Sequence, residues 1–377
     1  MSEYQYVAFR AIDGPVSEKN LEFMRRQSSR AEITPWSFDN EYNYGDFQGN
    51  ANEMLRRGYD FHLHYANFGV RKLMIRLPNG LPDAPACEPY FEKGSLWFSK
   101  DKKGRGGILQ VEPFFESGEL DDLWELDDLF ERLLALRAEI LDGDLRPLYL
   151  ARLAVQCDSN HDPDEEKEIP VPAGLQKLTD AQRALAELYG LSEALIAAAA
   201  RNSQAPPKEK DSKNRYAAWL QLQPEVTKVA WLARLMSDSH SAVRREILAE
   251  FHKSQGSPSW LTIRADRTIT ELRAAAEGIE HEKNRKDAEK AARQRAKKLA
   301  AMAADPTQVI RATEQLVKQR TTDAYREIAV SLADLRESLA GRENSNLPEK
   351  QARKLKTNNP TLHKLISELR RQGLLNK

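Results

Sequence analysis

The apolar pattern of this chain changes period at about residue 117, and that change restricts the fold more than any other feature. Before it, short apolar blocks alternate with polar residues between turn signals, as in YQYVAFRAI, AEITPWSF and YDFHLHYANFGVRKLMIRLP. A period of two belongs to strands, whose successive side chains point to opposite faces. After it, Leu120, Leu123, Leu126, Leu129, Leu133 and Leu136 recur every three or four residues, the spacing of one helix face, with Ser117 placed as a cap. Beyond them the sequence predicts helix almost throughout, with SPSWLTIR the one stretch that reads as extended. The fold class that follows is α+β, an N-terminal mixed α/β domain with antiparallel hairpins followed by an all-α C-terminal region with a long basic helix.

A chain of 377 residues exceeds the size at which one core usually stops growing. Boundaries are therefore expected, and composition suggests where. The acidic CDSNHDPDEEKEIPVPAG carries three prolines and reads as a linker. QAPPKEKDSKN reads as a second. The expected layout is an acidic α/β domain with closing helices at 1–157, a linker at 158–174, a helical segment at 175–202, a linker at 203–213, a helical region at 214–340 with a long helix near 270–303, and a basic helical tail at 341–377.

No apolar run approaches the roughly 18 residues of a membrane span, and MSEYQYVAFRAIDG lacks the pattern of a secretory signal. The expectation is a cytoplasmic protein that meets no membrane. Cys87 and Cys157 have no CxxC spacing and read as reduced thiols. The net charge of zero hides a division. Residues 1–200 hold 22 Lys and Arg against 35 Asp and Glu, a net of −13, and residues 201–377 hold 35 against 22, a net of +13. Such a split fits two halves that dock on one another, or a basic half that faces an external polyanion.

Candidate sites follow from these patterns. In the hairpin at 59–78, alternation gathers His62, His64, Lys72 and Arg76 on the side opposite Phe61, Leu63 and Tyr65. That side suits an anion, an acidic partner or plain solvent; the two cations and the lack of further ligands argue against zinc. The stretch WSFDNEYNYGDFQGN interleaves Trp36, Tyr42, Tyr44 and Phe47 with acids, which suits a partner surface, or else its aromatics fold back as a lid on the small core. In the long helix, Glu282 with Lys286 and Glu289 with Arg293 are favourable pairs, and Lys297 and Lys298 close it with charge. The last residues read as helix, short turn, helix: Asn359 as a cap, Pro360 at the first helical position, Leu362, Leu365, Ile366 and Leu369 as an apolar face, and Gly373 as terminator. With Arg353, Lys354, Lys356, Lys364, Arg370 and Arg371 this is helix-turn-helix-like, without a following wing. An amphipathic helix docked on its own bundle accounts for the same residues.

Signatures of phosphate loops, dinucleotide binding, serine hydrolases and zinc proteases are missing from the sequence. The stretches PVSEKNLEFMRRQSSRAEITPWSFDNEYNYGDF and LRPLYLARLA resemble a family of uncharacterised bacterial proteins over most of the chain. That resemblance implies a full-length protein and no activity, cofactor or catalytic residue. The expectation is a non-enzymatic binder without cofactor that contacts nucleic acid through Lys297, Lys298 and the C-terminal cations; the alternatives are an assembly subunit acting through residues 36–47, or a hydrolase using His62 and His64.

Overall fold

A computed structural model describes residues 3–376 apart from 44, 105, 117–122, 158–165, 206–211, 238–242, 244, 245, 248, 249, 252, 253, 255–259 and 265. The chain divides into two compact units, Met1–Glu280 and His281–Lys377. The α+β class holds: strands fill the N-terminal part and helices the C-terminal part.

The first unit is organised by a seven-stranded antiparallel sheet. Its strands are β1 (Gln5–Arg10), β2 (Glu32–Ile33), β3 (Ser37–Tyr42), β4 (Phe61–Ala66), β5 (Val70–Leu77), β6 (Leu96–Lys100) and β7 (Gly107–Val111), in the spatial order β2-β3-β1-β4-β5-β7-β6. The turn between β4 and β5 requires glycine, because Gly69 has φ +111° and a Cβ there would lie 2.2 Å from the Phe115 carbonyl oxygen.

Both faces of this sheet are buried. Tyr6, Ala8, Phe61, Leu63, Tyr65, Leu73 and Ile75 meet a helical layer on one side. That layer comprises α4 (Leu126–Leu133), α5 (Leu136–Leu141), α6 (Arg146–Gln156), α7 (Asp180–Leu188) and α8 (Glu193–Ala200). On the other side Val7, Phe9, Phe38 and Met74 meet Leu21 and Met24 of α1 (Glu18–Arg25) and Met54 and Leu55 of α2 (Ala51–Arg57). The solvated face expected for the hairpin at 59–78 is therefore a second core. A short helix, α3 (Ala84–Cys87), precedes β6. Helix α4 starts at Leu126 after Glu125 in a left-handed conformation (φ 58°), and Ser117 lies outside the described residues.

The expected boundary at 158–174 is overturned by long-range pairing. Ile169, Val171 and Leu175 are buried in the same core as the sheet, and α7 and α8 pack there too, with Thr179 and Gln182 forming a capping box at α7. β8 (Val171–Pro172) pairs with β9 (Thr262–Ile263). Glu168, its side chain fully buried, holds Arg267 (Nε to Oε2 2.6 Å) and accepts from the Tyr149 hydroxyl (2.5 Å). Ile269 and Leu272, at the start of the 36-residue helix α11 (Ile269–Ala304), complete that core. The region expected to begin at 214 thus contributes to the first unit up to Glu280. Helices α9 (Ser212–Leu222) and α10 (Glu225–Ser237) bring Trp219 and Trp231 together in a small cluster of their own, rings stacked at 5.6 Å.

The second unit contains the end of α11 with α12 (Pro306–Leu316), α13 (Thr322–Ser338), α14 (Leu347–Asn358) and α15 (His363–Arg371). Tyr325, Ile328, Leu332 and Leu335 of α13 form its centre, packed by Met302, Leu355, Leu365 and Leu369. Local sequence sets these helices. Asp305 caps α12 with Pro306 behind it, and Thr321 caps α13. Among the described residues no helix is long and apolar enough to cross a membrane.

One buried ion cluster ties four segments of the first unit. Arg137 of α5 donates to both oxygens of Asp13 (3.1 and 2.5 Å), lies 3.4 Å from Asp60, and donates through Nε to the Arg76 carbonyl. Asp60 in turn accepts from the backbone N–H groups of Ile12 and Asp13. Replacing Arg137 by alanine leaves two carboxylates buried without their cation. The expected loss is about 3–5 kcal/mol, read as a lowered urea midpoint; a variant as stable as the parent would show the cluster to be dispensable.

Candidate nucleic-acid interface

The last two helices show how local patterning builds a face. In α15, Leu365, Ile366 and Leu369 are buried, whereas His363, Lys364, Ser367, Arg370 and Arg371 are exposed on the opposite side. In α14, Gln351, Ala352 and Leu355 turn inward while Lys350, Arg353, Lys354 and Lys356 are exposed. The 3.6-residue period alone produces this division. Gly373 stops α15 in a left-handed conformation (φ +68°), Leu374 donates to the Leu369 carbonyl, and the Leu374 side chain is buried against the bundle. Arg336 clamps that turn through the carbonyls of Gln372 and Gly373 (3.0 and 2.9 Å).

The helix start differs from expectation. Asn359 does not cap α15, which begins at His363; its side chain donates instead to the Leu355 carbonyl (3.1 Å) and finishes α14. Pro360 consequently sits in the connection.

The predicted cations fall into two groups. Lys298 pairs with Asp334 (2.8 Å) beside Arg295, and so joins α11 to α13. Lys354 pairs with Glu314 (2.8 Å) and Arg371 with Glu368 (3.2 Å). Arg353, Lys356, Arg370 and Lys297 have no ion-pair partner among the described residues, and Lys364 reaches only the Thr322 hydroxyl at 3.4 Å. Lys350, on the same helix as Arg353, was not singled out by sequence because it lies before the densest charge run. Across 347–373 every exposed charged side chain is a Lys or Arg; the acids there, Glu349 and Glu368, are partly buried.

The other predicted sites resolve differently. His62 is 1% exposed, stacked on Phe9 at 4.0 Å between ring centres, and donates through Nδ1 to the Ala8 carbonyl (3.0 Å). Burial holds its pKa well below the usual value, with help from the neighbouring His64. His64 donates to Gln5 (2.9 Å), and burial followed by the nearby Lys72 lowers it to about 4. Lys72 is paired with Glu112 (2.7 Å), while Arg76 turns to Asp101 (2.6 Å) and the Gly107 carbonyl (2.8 Å). His62, His64 and Lys72 line one cavity of about 430 Å³ beside Phe47 and residues 48–52, but His62 is a buried core histidine, Lys72 is held by Glu112, and Arg76 turns away to Asp101. Among the described residues no group of three or more His, Cys, Asp or Glu is placed to hold a metal.

Residues 37–42 of the aromatic stretch form strand β3, and alternation turns Phe38 and Tyr42 inward. Phe47 packs over Phe9 and Phe38 at 6.1 and 6.0 Å. Tyr42 and Phe47 therefore line the second core, only Trp36 of the named set is exposed (52%), and Tyr44 lies outside the described residues.

The two histidines make stability depend on pH. In the unfolded chain each takes a proton near pH 6.5, whereas the folded protein resists protonation until lower pH, about 4 for His64. Stability is fully present above pH 6.5 and declines as pH falls from there, by up to about 1.4 kcal/mol per pH unit for each histidine. Urea unfolding at pH 7.5 and 5.5 is expected to show a loss smaller by about 2 kcal/mol in the double variant His62→Gln, His64→Gln. An equal loss would mean that the imidazoles protonate without cost in the folded state. Against known proteins, no family model, no curated protein and no solved structure matches this chain.

Proposed function

We propose that this protein is a non-enzymatic cytoplasmic binder whose C-terminal unit holds nucleic acid by its phosphate backbone. The observation that carries this reading is the single-sign surface of α14 and α15. Lys350, Arg353, Lys354, Lys356, Lys364, Arg370 and Arg371 are exposed over 347–373 with no exposed carboxylate among them. The unit as a whole holds 22 Lys and Arg against 12 Asp and Glu, a net of +10. Polyphosphate binding gains free energy by releasing condensed counterions, and it needs closely spaced cations free of internal partners. Arg353, Lys356 and Arg370 meet that condition among the described residues.

The contacts are to phosphate rather than to base edges, so affinity depends on salt more than on sequence. Assembly through residues 36–47 would need in solvent Tyr42 and Phe47, which line the second core, and hydrolysis by His62 and His64 would need protonatable imidazoles where burial lowers the pKa of both.

Filter binding of the full chain to duplex DNA and to single-stranded RNA across a salt series tests the proposal. With about five phosphates neutralised, the slope of log K against log salt is about −4 to −5 on the duplex. The triple variant Arg353→Glu, Lys356→Glu, Arg370→Glu is expected to bind at least about tenfold more weakly, with a shallower slope. Retention by neither nucleic acid at low salt, or an unchanged variant, would refute it.

A further inference from the structure

We propose a second binding site, in the first unit, for an aliphatic polyamine: a flexible cation with two or more ammonium groups on a hydrocarbon backbone. A cavity of about 1000 Å³ lies between one end of the sheet and the segment that leads into α4. Its walls are the rings of Tyr4, Tyr6, Tyr65 and Trp124. Its carboxylates are Glu41, Glu125, Asp127 and Asp128, and among the described residues no Lys, Arg or His lines it.

Strand register builds one wall. Glu41, Tyr6 and Tyr65 are cross-strand neighbours on β3, β1 and β4, and Tyr4 precedes them on the same edge. The second wall is the α4 segment, tied to the sheet where the Leu123 N–H donates to the Tyr65 hydroxyl (3.2 Å) and where the Tyr6 hydroxyl donates to Asp127. Tyr4 stands beside Glu41, and burial followed by that carboxylate raises its pKa to about 12. Both tyrosines therefore keep their protons and hold a carboxylate beside a ring.

Acids in the first turn of a helix are ordinarily explained by its dipole, and Asp127 and Asp128 fit that account. Glu41, on a strand, does not. Beside it Trp124, 81% exposed, offers a ring face at the cavity mouth. Ring faces beside carboxylates attract cations that carry hydrocarbon, through cation–π and charge-assisted hydrogen bonds together. Because carboxylates come from both walls, the fitting ligand has more than one cationic centre. A hard divalent ion would find ring walls where it needs converging oxygens. The inference is independent of the nucleic-acid reading, since none of its residues lies in the second unit.

Calorimetric titration of the full chain, free of nucleic acid, with spermidine tests it. Saturable binding is expected, resistant to magnesium chloride at matched ionic strength. Trp124→Ala and Glu41→Gln, both at exposed positions, are each expected to weaken binding about fivefold, and Glu41→Gln with Asp128→Asn at least about tenfold. No saturable heat, full displacement by magnesium, or unchanged affinity in all three variants would overturn the site. Binding of an arginine-rich peptide without binding of spermidine would overturn the ligand class.

Discussion

The first unit depends on a sheet whose central strands are apolar on both sides. In β1, Tyr6 and Ala8 face the large helical layer while Val7 and Phe9 face the small one, and all four are buried. A strand in that position offers no wet face, so every polar group placed on it must be neutral or partnered. That requirement explains the arrangement around it. His62 stays uncharged and stacked on Phe9, Arg71 donates to the Leu188 carbonyl (2.7 Å), and Arg76 closes onto Asp101. The cluster of Arg137, Asp13 and Asp60 lies where the ends of β1, β4 and β5 meet α5, and there a buried cation neutralises carboxylates that themselves receive backbone N–H groups.

What was legible in the sequence was what local chemistry fixes. The helices at 306–316, 322–338 and 347–358 follow from caps and three- and four-residue spacing, and the long helix near 270–303 appears as 269–304. The misreadings of the hairpin face and of the linker share one cause, a partner distant along the chain. Alternation in YDFHLHYA correctly separated two faces, but whether the histidine face was wet depended on α1 and α2, which cover it from elsewhere in the sequence. The proline-rich segment looked like a linker because its neighbours supply no signal that Val171 pairs with Ile263 or that Glu168 waits for Arg267. The division between units falls inside α11, two residues after Gly278, but no proline, cap or break in the helix marks it, and composition did not reveal it.

Charge was legible as a total and misleading as a location. Divided by unit, residues 1–280 hold 35 Lys and Arg against 45 Asp and Glu, a net of −10, opposite to the second unit. Yet individual cations differ in what they are free to do. Arg295 and Lys298 meet Asp334 on α13, so their charge serves helix packing. Charge runs on helices are most often solvated faces, and α11 illustrates it. Its residues 281–298 are all exposed, but they mix signs, and Glu282 takes up Lys286 at 2.8 Å.

In α14 and α15, by contrast, the exposed charges are of one sign. Residues 281–298 carry 8 Lys and Arg against 3 Asp and Glu, a net of +5, but the three acids are exposed among the cations, so an approaching phosphate also meets carboxylates there. A single-sign pair of helices offers the opposite, at a cost in self-repulsion that ordinary packing gives no reason to bear. In α15 the helix dipole accounts for Arg370 and Arg371 at its C-terminus, but not for Lys364 near its start, nor for Lys350 and Arg353 within α14. Those three cations sit where the helix dipole does not explain them, and the proposed phosphate contacts depend on them most.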